Sequence, residues 1–79
     1  MAEAEPELIY SPLCRKLRRQ GLTFKVSIYR GEDEDAWLLE LEAPTGGSTV
    51  WDDRFTSDAD ALNEAVEALD RDGVAEFLV

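Results

Sequence analysis

A chain of 79 residues, of which 44% are hydrophobic and 33% charged, is long enough for one folded domain and too apolar to be disordered throughout. Its 18 acidic residues against 8 basic ones give a formal net charge of −10. No apolar run approaches the roughly 20 residues of a membrane-spanning helix, and the chain does not begin like a secretory signal. We therefore expect a cytoplasmic protein that does not bind a membrane, in agreement with its single cysteine.

The first predicted element is a short basic helix over residues 12–20. Ser11 followed by Pro12 is typical of a helix start, because Ser is a preferred N-cap and Pro fits the first helical position. Gly21 is typical of a helix end, since glycine adopts the left-handed conformation at low cost.

Two strands are predicted next, over residues 22–30 and 36–42, because apolar and polar residues alternate in both segments. The polar segment between them predicts a hairpin. Only registers that pair Ile28 with Trp37 or with Leu39 keep the apolar side chains on one face. Both registers place Lys25 opposite a glutamate.

A third strand is predicted over residues 48–55, and its end is blurred by adjacent aspartates. The main helix follows over residues 58–71. Ser57 with Asp60 resembles a capping box with a shorter acid, and apolar residues then recur at helical spacing. Residues 74–79 fit either a helical turn or a short strand.

Together these elements predict an α+β fold in which helices cover one face of a three-stranded antiparallel meander, in α-β-β-β-α order. An acidic flexible tail, residues 1–10, precedes a single domain over residues 11–79. The predicted core consists of the inward strand residues and one face of the main helix: Val26, Ile28, Leu39, Leu41, Leu62, Val66 and Leu69.

Residues 36–42, 48–55 and 57–65, read as AWLLELE, STVWDDRF and SDADALNEA, resemble in combination a set of small uncharacterised bacterial proteins. The resemblance covers residues 11–79. It implies no activity, catalytic residue or cofactor.

The predicted element order is also similar to that of the double-stranded-RNA-binding domain. That family places an important basic cluster at the start of its final helix, where this chain has acidic residues in the segment 57–60. Carboxylates there would repel RNA phosphates. We therefore expect no binding of double-stranded RNA.

Catalytic and metal sites have little support in the sequence. The chain has no histidine, which excludes Ser-His-Asp and Cys-His machinery within one copy. Cys14 beside Arg15 has features of a thiolate, but a small packed residue is the favoured interpretation. Asp52 and Asp53 are adjacent on a strand and so point to opposite faces, and the acidic run 32–35 lacks the spacing of a calcium loop. We predict no enzyme, no metal and no cofactor.

The charge distribution and the uncovered side of the sheet are the remaining candidate surfaces. Residues 11–30 carry six bases and no acid, whereas residues 31–79 carry fifteen acids and two bases. Apolar residues that point outward on neighbouring strands add a plausible patch. The candidate interaction residues are Arg15, Arg18, Arg19, Tyr29 and Leu38.

These surfaces predict a protein-interaction or adaptor module, with self-association as one form of it. One alternative is a nucleic-acid-related protein, which acts through the basic N-terminal helix or as an acidic mimic. The other is a minor enzyme that uses carboxylates alone, which would need a deep pocket with converging acids.

Overall fold

The computed structural model describes residues 7–78, which form an antiparallel sheet with one α-helix packed on it. The elements in chain order are β1 (Leu8–Tyr10), β2 (Arg15–Arg19), β3 (Leu22–Gly31), β4 (Leu38–Glu42), β5 (Ser48–Val50), α1 (Asp58–Asp72) and a 3-10 turn (Val74–Phe77). The five-stranded sheet has the order β1-β3-β4-β5, and β2 also pairs with β3. The α+β class is confirmed, whereas the α-β-β-β-α order with its three-stranded meander is wrong.

The ten-residue strand β3 is the centre of the sheet. Its inward side chains Phe24, Val26 and Ile28 are fully buried, and they alternate with outward side chains as the period of two predicts. Ile28 pairs with Leu39, which confirms one of the two predicted registers, and Lys25 consequently lies opposite Glu42. The pairing with Trp37 is excluded.

The predicted helix over 12–20 is wrong, because Arg15–Arg19 form β2 and pair with the first half of β3. Gln20 and Gly21 both have positive φ, of 54° and 77°, as a two-residue hairpin turn of the primed type requires. The glycine that we interpreted as a helix end therefore closes a hairpin. Arginine, lysine and leucine favour a helix, but pairing with a long adjacent strand overrides that local preference.

β1 and β2 lie along the same edge of β3 and are separated by a bulge. Four residues, 11–14, stand opposite two residues of β3. The Ser11 N–H donates to the Ile28 carbonyl at 2.8 Å, and the Cys14 thiol both donates to that carbonyl and accepts from the Ile28 N–H at 3.1 Å. The thiol thus takes the place of a backbone group in the sheet ladder, in line with the favoured interpretation of a packed cysteine.

The buried hydroxyl of Ser11 connects this bulge to the helix. It donates to a carboxylate oxygen of Asp58 at 2.7 Å and accepts from the Leu13 N–H at 2.9 Å. Ser11 is therefore no helix cap, because its side chain fixes the bulge against the first turn of α1.

Part of the predicted acidic tail, residues 1–10, is a strand instead. Leu8–Tyr10 form β1 and pair with the end of β3. Residues 1–6 of that tail lie outside the described residues.

Helix α1 begins where the sequence predicted, with the Ser57 hydroxyl accepting from the Asp60 N–H at 3.1 Å. Its buried face differs from the predicted one, because it consists mainly of alanines. The buried helix residues are Ala61, Ala65, Ala68 and Leu69. Leu62 is half-buried against the core, but Val66 lies outside the core cluster, which corrects its assignment. Small side chains let the helix approach the large residues of β3 and β4 closely.

The third strand is shorter than predicted, because β5 ends at Val50 and the aspartates that follow lie in a bend. Trp37 and Phe55 then pair through two backbone hydrogen bonds, of 2.8 and 3.0 Å. The 3-10 turn resolves the alternative left open for the C-terminal segment, and its Phe77 stacks on Trp51 at 6.2 Å between ring centroids.

The corrected helix face makes a testable prediction about stability. Leu69→Ala is expected to lower the free energy of unfolding by about 2–4 kcal/mol, because it leaves a cavity in the core. Val66→Ala, the control one turn away, is expected to cost less than about 1 kcal/mol. Urea unfolding followed by tryptophan fluorescence measures both, and equal losses at the two positions would contradict the assigned face.

Candidate interaction surface

Helix α1 covers one side of the sheet, and the outward side chains of the strands form the opposite side. We call this second side the open face. The residues of the open face are Leu8, Tyr10, Lys16, Arg18, Thr23, Lys25, Ser27, Tyr29, Leu38, Glu40, Glu42, Ser48 and Val50.

The open face carries every large hydrophobic residue that is exposed among the described residues. Leu8, Tyr10 and Val50 are 54%, 58% and 49% accessible, respectively. Their position follows from the register, because Tyr10 pairs with Tyr29 and Val50 pairs with Glu40, whose side chains point outward. Exposed apolar residues concentrated on one face are typical of an interaction site, whereas residues scattered singly over the surface are not.

An apolar row crosses three strands of the open face. Tyr10, Tyr29 and Leu38 are successive register partners on β1, β3 and β4. The two tyrosine rings lie 5.4 Å apart between centroids and are tilted by 38°, a geometry that favours contact between aromatic rings. This row brings the predicted residues Tyr29 and Leu38 into adjacent positions on one face.

A charged row crosses the same face four residues away along β3, with one outward row between the two. Lys16, Lys25, Glu42 and Ser48 are register partners on four neighbouring strands. Two lysines therefore stand on one half of the face and a glutamate on the other, so the sign of the charge changes between β3 and β4.

The charge of the open face is close to balanced, in contrast to the rest of the molecule. Its three bases, Lys16, Arg18 and Lys25, stand against two acids, Glu40 and Glu42. Helix α1 on the other side of the sheet has six acids and one base. The open face is thus a surface that another negatively charged molecule can approach without strong repulsion.

The three predicted arginines do not form one cluster. Because β2 is a strand, Arg18 points to the open face, whereas Arg15 and Arg19 point to the side of the helix. The Arg19 guanidinium pairs with Asp70 of α1 at 3.1 Å, and the Arg15 side chain donates to the Leu13 carbonyl at 3.0 Å.

Only Arg18, Tyr29 and Leu38 of the open face were site candidates, and the missed residues include Leu8, Tyr10, Lys16 and Val50. Leu8 and Tyr10 were assigned to the acidic tail, although an apolar, aromatic triplet at 8–10 indicates a short strand. Lys16 was placed within the predicted helix. Val50 lies at the edge of the sheet, and its exposure depends on where β5 ends.

The surface of residues 7–78 has no pocket, and the Cys, Asp and Glu side chains of this part of the chain form no group of three or more that fits a metal ion. None of its helices is long and apolar enough to cross a membrane.

Comparisons of the chain with protein-family models, with curated proteins and with solved structures gave no match.

The pKa of Tyr29, in the apolar row, offers a test of the contacts that its hydroxyl makes. Burial raises the pKa of Tyr29 above its usual value, and Glu40, which accepts a 3.4 Å hydrogen bond from the hydroxyl, raises it further. A phenol whose folded-state pKa is raised adds stability that is complete below its unfolded pKa of about 10 and is lost as the pH rises through the folded-state pKa.

We expect Glu40→Gln to lower the pKa of Tyr29, while burial, the larger cause, keeps it above the usual value. Tyrosinate absorbance measures it in a Tyr10→Phe background, where Tyr29 is the only tyrosine that titrates. Glu67→Gln, on the exposed side of α1, is the control and should leave the pKa unchanged. An equal pKa in all three proteins would show that Glu40 has no influence on the phenol.

Proposed function

We propose that the protein is a non-enzymatic protein-interaction module of the cytoplasm and that the open face is its binding surface. The observation that supports this most strongly is the concentration of Leu8, Tyr10 and Val50 on one uncovered and nearly charge-balanced side of a chain with a net charge of −10. A protein partner would cover this apolar patch and gain the hydrophobic free energy of its burial.

The architecture also suits a rigid binding surface. The apolar row lies on β3 and its direct neighbours, and Phe24, Val26 and Ile28 on the opposite side of β3 are fully buried in the core. Side chains held by paired strands lose little conformational freedom when a partner binds. Aromatic residues such as Tyr10 and Tyr29 are the type that contributes most to protein interfaces.

Single-stranded nucleic acid is the competing occupant, because Tyr10 and Tyr29 share the open face with Lys16 and Lys25. Aromatic and basic side chains on an open sheet are a known platform for binding unpaired nucleobases. The acidic residues Glu40 and Glu42 on the same face oppose phosphate binding. We therefore favour a protein partner.

Substitution of the apolar row tests the proposed function. Leu38→Lys and Tyr10→Lys are each expected to reduce the capture of partner proteins by about ten-fold or more, because a charge would be buried at the centre of the interface. Asn63→Lys is the matched control, since it makes the same charge change on the exposed side of α1. The measurement is quantitative affinity capture from the source cells, with circular dichroism to verify folding.

Proteins retained equally by all of these baits, or by none of them, would contradict the proposal. If the open face instead binds a fluorescent single-stranded oligonucleotide, and Tyr10→Ala and Lys16→Ala abolish that binding, the partner is a nucleic acid.

Double-stranded RNA is not expected to bind. The first turn of α1 carries Asp58 and Asp60, whose carboxylates repel phosphates, and Arg18 and Arg19 point to opposite sides of the sheet. These positions leave few phosphate contacts. Gel shift at physiological salt is expected to give a Kd weaker than about 1 µM. Tighter binding that is lost in Arg18→Ala would overturn this prediction.

A further inference from the structure

We propose that the open face binds a second copy of this chain, in a symmetric dimer whose two-fold axis runs parallel to the strands and passes between β3 and β4. This inference rests on the proposed function and specifies its partner. It is based on the order of charged and apolar residues on β3 and β4, the two central strands of the face, which is complementary to itself under this rotation.

The rotation can be followed row by row. An axis parallel to the strands keeps each row at its height and places β3 of one copy over β4 of the other. In the charged row, Lys25 of each copy then faces Glu42 of the other. In the apolar row, Tyr29 of each copy faces Leu38 of the other.

The row between these two is also compatible with the rotation. Ser27 and Glu40 are register partners on β3 and β4, so each Ser27 hydroxyl would face a Glu40 carboxylate of the second copy. A hydroxyl can donate a hydrogen bond to that carboxylate. All three central rows therefore place complementary groups opposite each other.

The alternative axis in the plane of the sheet, perpendicular to the strands, gives a poor fit. It would reverse the heights of the rows, so that Tyr29 of each copy faces Lys25 of the other and Leu38 faces Glu42. Covering the Glu42 carboxylate with a leucine side chain, with no partner for it in the second copy, is costly. The arrangement of the rows thus selects the parallel axis.

The size of the face limits the strength of the dimer. Four strand positions spaced about 4.8 Å and a central strand of ten residues, about 33 Å long, give at most roughly 600 Å². A standard stable interface buries about 800 Å² from each partner. We therefore expect a weak, reversible dimer with a dissociation constant in the micromolar range.

The net charge of the chain also restricts where two copies can meet. Two copies with charges of −10 repel each other over most of their surfaces, and helix α1 contributes six of the acids. The open face, with three bases and two acids, is where this repulsion is smallest. Two sheets stacked face to face, about 10 Å apart, would also place the two acidic helices on opposite outer sides of the dimer, far from each other.

Charge reversal across the predicted contact tests this arrangement. Lys25→Glu alone places Glu against Glu42 of the other copy, and Glu42→Lys alone places Lys25 against a lysine, so each variant is expected to weaken the dimer by about ten-fold or more. An equimolar mixture of the two variants is expected to form a mixed dimer with an affinity within about three-fold of the parent, because both contacts are then between opposite charges.

The mixture distinguishes the effect of the charge reversal on the contact between copies from its effect on the Lys25–Glu42 pair within one chain. Lys25 and Glu42 are also cross-strand neighbours, so each single variant keeps its internal like-charge pair in the mixed dimer. Restored association therefore reports only on the contact between copies. Glu67→Lys, on the exposed side of α1, is the control and should still form the dimer. Sedimentation equilibrium at concentrations up to about 100 µM measures association, and circular dichroism verifies folding.

Two results would overturn the inference. A parent protein that stays monomeric at about 100 µM would exclude the dimer, and the capture experiment with Leu38→Lys and Tyr10→Lys would then still decide whether the open face binds a different protein. A parent dimer that neither charge reversal weakens, or that the mixture fails to restore, would show that the two copies meet elsewhere or in another orientation.

Discussion

One helix packed on a sheet of four strand positions covers only one of the two faces. The composition of the surface depends on this limit, because the other face of the sheet stays uncovered. Helix α1 packs through alanines onto β3 and β4, so that the large side chains of the sheet fill the core. Within residues 7–78 there is no other α-helix that could cover the second face. The outward side chains of the strands must therefore meet solvent or a partner, and the chain places apolar residues among them.

The sequence predicted those parts of the fold whose local preference agrees with their tertiary surroundings. The alternation in β3 and β4 and the Ser57 cap of α1 point to the structures that these segments adopt. Residues 12–20 were mispredicted because their local and long-range preferences conflict. Their composition favours a helix, but the turn at Gln20 and Gly21 directs them back along β3, where they gain a full set of strand hydrogen bonds.

The candidate site was predictable to the extent that it depends on alternation within a strand. Tyr29 and Leu38 could be placed on the outward face from the pattern of β3 and β4 alone, and the register makes them neighbours. The contribution of Tyr10 could not be obtained in this way. Its position depends on the bulge at 11–14, which shifts β1 relative to β2 and is held by the buried bonds of Ser11 and Cys14, contacts between segments that are distant in sequence.

The bulge also determines which side chains the edge of the sheet presents. It adds two residues to the edge strand relative to β3, and an even number preserves the alternation, so that Tyr10 before it and Lys16 after it both point outward. An insertion of one residue would turn β1 over and exchange Tyr10 for Ile9 on the open face. The Ser11 hydroxyl, fixed by Asp58 of α1, thus links the helix on one side of the sheet to the composition of the surface on the other side.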